Sequence, residues 1–418
     1  MKKERKVGIE ILRILSMYMV LILHYKLHQN VSSLTDINYK IANFVDILCV
    51  CAVNCYVLIS GYFLSKGETS IKKLIKTLSP VWFYSITILI VNLLLTEDVI
   101  KYNNLLKFIF PVTLGEYWFV LSYTLLYLLT PFLKKVIDNS ERKELKSLII
   151  ILLFFSFLSN FLGNSNINSN IIDKTRGYGI IWLTTLFICA GYIRKYKLEN
   201  KIPKKFLLLS YICSSILVYI SFLSIKYLND NNILIHSIKF KETLLSDYNS
   251  INIFINSICL FLLFLQIDIK NKFIKKIILF ISPLTFGVYI IHCNPLIFKK
   301  IYVELLQIQK YTTSSNYLII MLLKCALLFI VCILIEKLRQ LIFKLIGLII
   351  KKIQSKLKKW FWIWYEPRSL TKKKRGFIMS KLCYEDKIEI YRKWKNCLIT
   401  GLAKYVYYYS FSKTDKDD

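Results

Sequence analysis

The sequence predicts an all-α, polytopic membrane protein with about ten transmembrane helices and both termini in the cytoplasm. Three observations carry that prediction. Hydrophobic residues make up 55% of the 418 and charged residues only 20%, and the mean hydropathy is +0.48. Apolar runs long enough to cross a hydrocarbon core, about 17–25 residues each, recur along the chain. Lysine and arginine gather in the breaks between those runs. A soluble core of this length has no means of hiding so much apolar surface, and 12 glycines and 7 prolines are too few for a collagen-like or low-complexity chain.

The runs lie near residues 8–28, 41–64, 78–96, 117–134, 145–163, 178–194, 204–225, 250–267, 277–298 and 317–337. The first carries Arg13 and His24 within its apolar stretch and lacks a small-residue cleavage site, so it reads as a retained helix, not a signal peptide. The second ends in Ser60 and Gly61, small residues that allow helices to approach closely. The third follows Lys72, Lys73 and Lys76. The fourth opens on Tyr117-Trp118-Phe119, where Trp118 reads as an interfacial anchor. This run and the sixth are short and punctuated by polar groups. The ninth holds Tyr289 and His292.

Loop charge sets the orientation. The segments before the first run and after the second, fourth, sixth and eighth hold 23 Lys/Arg, against 12 in the alternate set. By the positive-inside rule the first set is cytoplasmic. The net charge of +32 would suggest nucleic acid in a soluble protein, but here anionic lipid head groups are the natural partner. The eleven cysteines mostly sit inside apolar runs, form no CxxC pair and show no zinc-finger spacing, so they read as small hydrophobes and no metal is expected.

Charged and polar groups inside a span are costly unless partnered or functional. Arg13 and His24 are eleven residues apart, which at about 100° per residue brings them within roughly 20° of one helix face and separates them by roughly 16 Å along the axis. Glu10, three residues before Arg13, is placed to neutralise it.

The stretch from Gly8 to His24, with its arginine and histidine at that gap, resembles the opening of the acyltransferase-3 family of integral-membrane acyltransferases. Ser60-Gly61-Tyr62-Phe63-Leu64, Tyr117-Trp118-Phe119 with Pro131, Gly191-Tyr192-Ile193-Arg194-Lys195, and Ser282 to His292 with its Gly-x-Tyr-x-x-His pattern resemble later family elements in the same order. The resemblance spans about residues 5–345. It implies transfer of an acyl group, usually acetyl, from coenzyme A to a hydroxyl, typically on a cell-surface or exported polysaccharide. Acetyl-CoA is then a co-substrate, with no resident cofactor.

On that reading His24 is the general base, since its unperturbed pKa of about 6.5 lies near neutrality. Arg13, with Lys73 and Lys76, binds the donor's phosphates. The lysines stand where the family pattern has paired arginines, and so supply charge without a bidentate fork. Glu10, Ser60, Gly61, Tyr289 and His292 are supporting residues. Direct transfer and an acyl-histidine intermediate both remain open. A polytopic glycan-lipid or small-solute transporter is the competing class; it accounts for the helices and loop charges but not for the Arg13/His24 stripe. His28 and His236 carry no motif.

Residues 1–350 are expected to form the membrane domain. Residues 351–378, basic and tryptophan-bearing, are expected to lie on anionic lipid. Residues 379–418 resemble the start of a helix-turn-helix domain of bacterial insertion-sequence transposases. The pattern fails near Tyr405 without a recognition helix, so functional nucleic-acid binding is not expected.

Overall fold

The structure, a computed structural model, describes residues 6–95, 102–164, 176–231 and 241–365, and every regular element within them is helical. In chain order these are α1 (Val7–Leu27), α2 (Asp36–Cys49), α3 (Ala52–Leu64), α4 (Ile71–Leu95), α5 (Tyr102–Ile109), α6 (Trp118–Asn139) and α7 (Arg142–Asn164). There follow α8 (Ile180–Lys195), α9 (Lys204–Asp230), α10 (Ile251–Leu265), α11 (Lys272–Ile281), α12 (Thr285–His292), the single turn α13 (Phe298–Lys300) and α14 (Tyr317–Tyr365). Two compact units are present, Met1–Arg339 and Gln340–Asp418.

All ten apolar runs fall on helices. Among the described residues, eight spans are long and apolar enough to cross a membrane. The sixth and eighth runs form α8 and α10, of 16 and 15 residues, which at 1.5 Å per residue rise only about 24 and 22 Å. Both are packed inside protein: α8 buries Trp182, Leu186, Phe187 and Ala190, and α10 buries Ile253, Leu260 and Phe261. A short helix at membrane depth is tolerated where its ends meet protein in place of lipid.

Two runs are broken by local chemistry. The second divides at Val50-Cys51 into α2 and α3, and Thr35 caps α2 by accepting from the Asn38 amide at 3.2 Å. The ninth divides at a 3₁₀ turn, Ser282–Leu284, where Pro283 has no amide to donate. By contrast, α4 and α6 run on through Pro80 and Pro131.

α1 occupies the middle of the first unit, touching α2, α3, α10, α11 and α12. Gly61 is where α3 meets α8: a Cβ there would stand 2.9 Å from Phe187 Cα, so only glycine allows this approach. Two neighbouring cations of α8 close the C-terminal ends of two other helices. Arg194 donates to the carbonyls of Tyr62 and Phe63 on α3, while Lys195 donates to Ile137 O (2.6 Å), Asp138 O (3.0 Å) and Ser140 O (2.9 Å) after α6. Late helix carbonyls lack intrahelical partners, and cations there also meet the negative end of the helix dipole.

A second charge cluster lies within the bundle. On α14, Arg339 forks onto Glu336 (Nε–Oε2 2.8 Å, Nη2–Oε1 2.6 Å), and Tyr84 of α4 donates to the same Oε2 at 2.8 Å. Both charged side chains are buried. The carboxyl occupies the space a side chain at Gly287 would fill.

In the second unit α14 continues without a break, so the expected domain end at 350 falls inside a helix. Leu341, Leu345, Leu348 and Ile349 are exposed there, as lipid-facing side chains would be. The segment expected to lie on lipid, from residue 351, is helical as far as Tyr365; residues 366–378 and the stretch 379–418 lie outside the described residues, as does His236.

Candidate active site

α1 carries polar groups at both ends of its stripe. At the first end, Glu10 is buried and Oε2 takes a hydrogen bond from Arg13 Nη1 at 2.6 Å and another from Ser282 Oγ at 2.5 Å. The i, i+3 spacing does what the sequence suggests, and the 3₁₀ turn before α12 brings Ser282 in as a further donor. Tyr56 donates to Arg13 O at 2.8 Å, and the Tyr123 side chain hydrogen-bonds Ser60. One Arg13 nitrogen is engaged, and the guanidinium fork has five N–H donors in all, so donors remain for a ligand.

Lys73 and Lys76 stand exposed on the first turns of α4, and Lys73 Nζ donates to Glu68 O at 2.9 Å. No contact joins either lysine to Arg13 among the described residues.

At the other end of α1, His24 and His292 meet. His24 Nδ1 lies 3.0 Å from His292 Nε2, and His292 Nδ1 lies 2.6 Å from Val288 O, one turn back on α12. A carbonyl only accepts, so His292 Nδ1 carries the proton and its Nε2 is the acceptor. His24 Nδ1–H must then donate, which leaves His24 Nε2 with a lone pair. The histidine pair is therefore a relay of fixed tautomers ending in a free basic nitrogen. His292 is completely buried, and His24 is partly exposed at the wall of a cavity.

Neighbouring side chains hold α12 in place. Tyr117 donates to Ile290 O at 3.3 Å and accepts from the buried Asn294 Nδ2 at 3.1 Å. An aromatic lane joins the two ends of the site: Tyr123 stacks on Phe119 (5.9 Å), Phe119 meets Tyr289 edge-on (5.9 Å), and Tyr289 meets His292 (6.1 Å).

The cavity has a volume of about 830 Å³. Trp118, Tyr178 and Tyr248 form one wall, with ring centroids of Trp118 4.4 Å from Tyr178 and 6.1 Å from Tyr248. Trp118 is thus part of the cavity, where the sequence suggested an interfacial anchor. Behind it the buried Asn54 accepts from the Trp182 indole at 3.0 Å and donates to Tyr248 O at 2.9 Å, fixing that wall. Two ion pairs line the same space, Arg176 with Asp247 (Nε–Oδ1 2.9 Å) and Lys26 with Asp46 (2.9 Å). The Asp247 carboxylate raises the Arg176 guanidinium above its ordinary pKa. His28, stacked on Tyr302 and edge-on to Phe298, is pushed below its ordinary pKa by burial and by Lys299.

Cys293 also reaches the pair, its Sγ 3.3 Å from His292 Nε2 and 3.6 Å from His24 Nδ1. Spacing along the chain hides this His/Cys cluster, because His24 lies 268 residues from His292. Arg176 and Asp247 are likewise 71 residues apart and follow no local pattern.

The family model for the acyltransferase domain matches residues 6–337, most of the chain and the whole of this site. The chain belongs to the acyltransferase-3 family. No curated protein and no solved structure matches it.

Proposed function

We propose that this membrane acyltransferase moves an acetyl group from acetyl-CoA to a hydroxyl of a cell-surface or exported polysaccharide, with His24 as general base. The observation that carries the reading is the free Nε2 of His24, its tautomer set by His292 and Val288, at the wall of an 830 Å³ cavity. The acceptor oxygen attacks the thioester carbonyl carbon while its proton passes to His24 Nε2. The C–O bond forms as the C–S bond breaks, and coenzyme A leaves as thiolate and takes up a proton. The imidazolium that forms on His24 is stabilised through its Nδ1–H donated to His292 Nε2.

The wall of Trp118, Tyr178 and Tyr248 supports a carbohydrate acceptor. The C–H faces of sugar rings stack on aromatic faces, while Asp247 and Asp46 offer acceptors for their hydroxyls. Loop charge supports a cytoplasmic position for the Arg13 end and an external one for the cavity. On that orientation the donor's phosphates sit near Arg13, with Lys73 and Lys76 contributing charge, and pantetheine follows the lane of Tyr123, Phe119 and Tyr289 to His24.

The test is release of coenzyme A thiol by the purified protein given acetyl-CoA and a polysaccharide acceptor. Wild type should release thiol and acetylate the glycan. His24→Ala, still inserted in the membrane, should lose transfer by about 10²- to 10⁴-fold, the usual contribution of a general base. Unchanged turnover in His24→Ala would remove the base assignment.

A further inference from the structure

Three atoms beside the base have a second chemical capacity. His24 Nδ1, His292 Nε2 and Cys293 Sγ all lie within 4.8 Å of one another, contributed by α1, by α12 and by the residue that follows α12. Their separations are 3.0 Å (N···N), 3.3 Å and 3.6 Å (N···S). A tetrahedral zinc ion with Zn–N near 2.0–2.1 Å and Zn–S near 2.3 Å places its nitrogens about 3.3 Å apart, and nitrogen and sulfur about 3.6 Å apart. The three donors therefore already stand within about 0.3 Å of a zinc-binding triangle.

The surroundings match as well. A metal-binding imidazole commonly donates its other N–H to a backbone carbonyl, which fixes the ring. His292 Nδ1 holds that bond to Val288 O at 2.6 Å. Both His24 and Cys293 line the cavity, which leaves a fourth position for water. Two imidazoles and a thiolate are a soft donor set, selecting zinc over calcium or magnesium.

We propose that His24, His292 and Cys293 bind a zinc ion, and that the bound ion switches the acyltransferase off. Binding is proton-balanced. The metal takes His24 Nδ1, so the single proton of that neutral ring resides on Nε2, and the Cys293 thiol releases its proton to water as the S–Zn bond forms. With Nε2 protonated, His24 has no lone pair to offer an acceptor hydroxyl. The inhibitory half rests on the proposed role of His24; the binding half does not.

The experiment uses full-length protein in lipid nanodiscs, purified through a histidine-free tag, with Cys213, Cys383 and Cys397 replaced by serine in every variant. Cobalt is the spectroscopic probe, because a tetrahedral cobalt–thiolate gives a near-ultraviolet charge-transfer band and intense visible bands. The otherwise wild-type protein should take up one cobalt per chain with both features, and zinc should displace it. Cys293→Ala and Cys293→Ser should lose the charge-transfer band. Their zinc Kd should rise more than about 100-fold, since second-sphere losses alone cost 10- to 100-fold. Absence of the thiolate band in the parent, or its persistence in Cys293→Ala, overturns the site whatever the activity proves to be. In the transfer assay, zinc should inhibit the parent and chelation should restore it, while Cys293→Ala should lose that inhibition, its rate with zinc being read against its own metal-free rate. Full turnover with zinc bound overturns the switch while leaving the site in place.

Discussion

His292→Ala separates a positioning partner from the base itself. The substitution removes the acceptor of the 3.0 Å bond from His24 Nδ1. In the ground state the lost bond joins two neutral rings. When His24 carries the substrate proton the bond becomes charge-assisted, and such bonds contribute about 1.5–3 kcal/mol. The neutral ground-state bond, worth about 1 kcal/mol, is lost too, so the difference of about 0.5–2 kcal/mol should lower kcat a few-fold to about 30-fold at 1.36 kcal/mol per factor of ten. KM for acetyl-CoA should hold, because nothing in the change touches Arg13. His292→Gln offers a side-chain oxygen to the same N–H and should recover part of the loss. The assay is initial-rate thiol release across a range of acetyl-CoA concentrations, on variants matched for membrane insertion. A kcat within twofold of wild type in His292→Ala would refute the relay, and a loss in KM alone would relocate His292 to substrate binding.

Arg13→Ala should raise KM for acetyl-CoA by at least about tenfold and leave a buried Glu10 without its cation, with Arg13→Lys intermediate; isothermal titration with coenzyme A reads the binding loss directly. Gly61→Ala places a methyl 2.9 Å from Phe187 Cα, so overpacking should cost about 1–3 kcal/mol, seen as a lower thermal midpoint in detergent and worsened in Gly61→Leu. A stop codon after Trp364 should leave acetylation near the full-length level, because every residue given a chemical role lies before position 300. Loss of activity in inserted, truncated protein would show that the tail takes part in function.

What the sequence makes legible is local. The ten apolar runs all appear on helices because a backbone crossing apolar surroundings must satisfy its own hydrogen bonds, and the Glu10–Arg13 pair follows from a three-residue step on one helix. Arg13 and His24 share a stripe because helical periodicity does not depend on neighbours. The meeting of His24 with His292 depends on how α1 packs against α12, which no spacing encodes, although each histidine stood in a motif of its own. Trp118 shows the same limit: an aromatic residue at a helix start suits a membrane interface and a ligand wall equally, and only the approach of Tyr178 and Tyr248 decides. The Glu336–Arg339 pair carries no signal of its own in the sequence, because its meaning comes from Tyr84 of α4.

That buried pair bears on how the protein is made. A lone charge at the centre of a helix entering the bilayer costs about 2.5–3.5 kcal/mol on insertion scales. Glu336 and Arg339 lie one turn apart on α14, so their bond needs no other helix and can form as soon as the segment coils. The tenth apolar span can therefore enter the bilayer with this charge already neutralised within its own helix. In the folded bundle the Tyr84 hydroxyl of α4 donates to the same carboxylate at 2.8 Å and joins the two helices. A pair that looks like a burden in the finished bundle thus carries its own neutralisation into the membrane and, through Tyr84, ties two distant segments of the chain together.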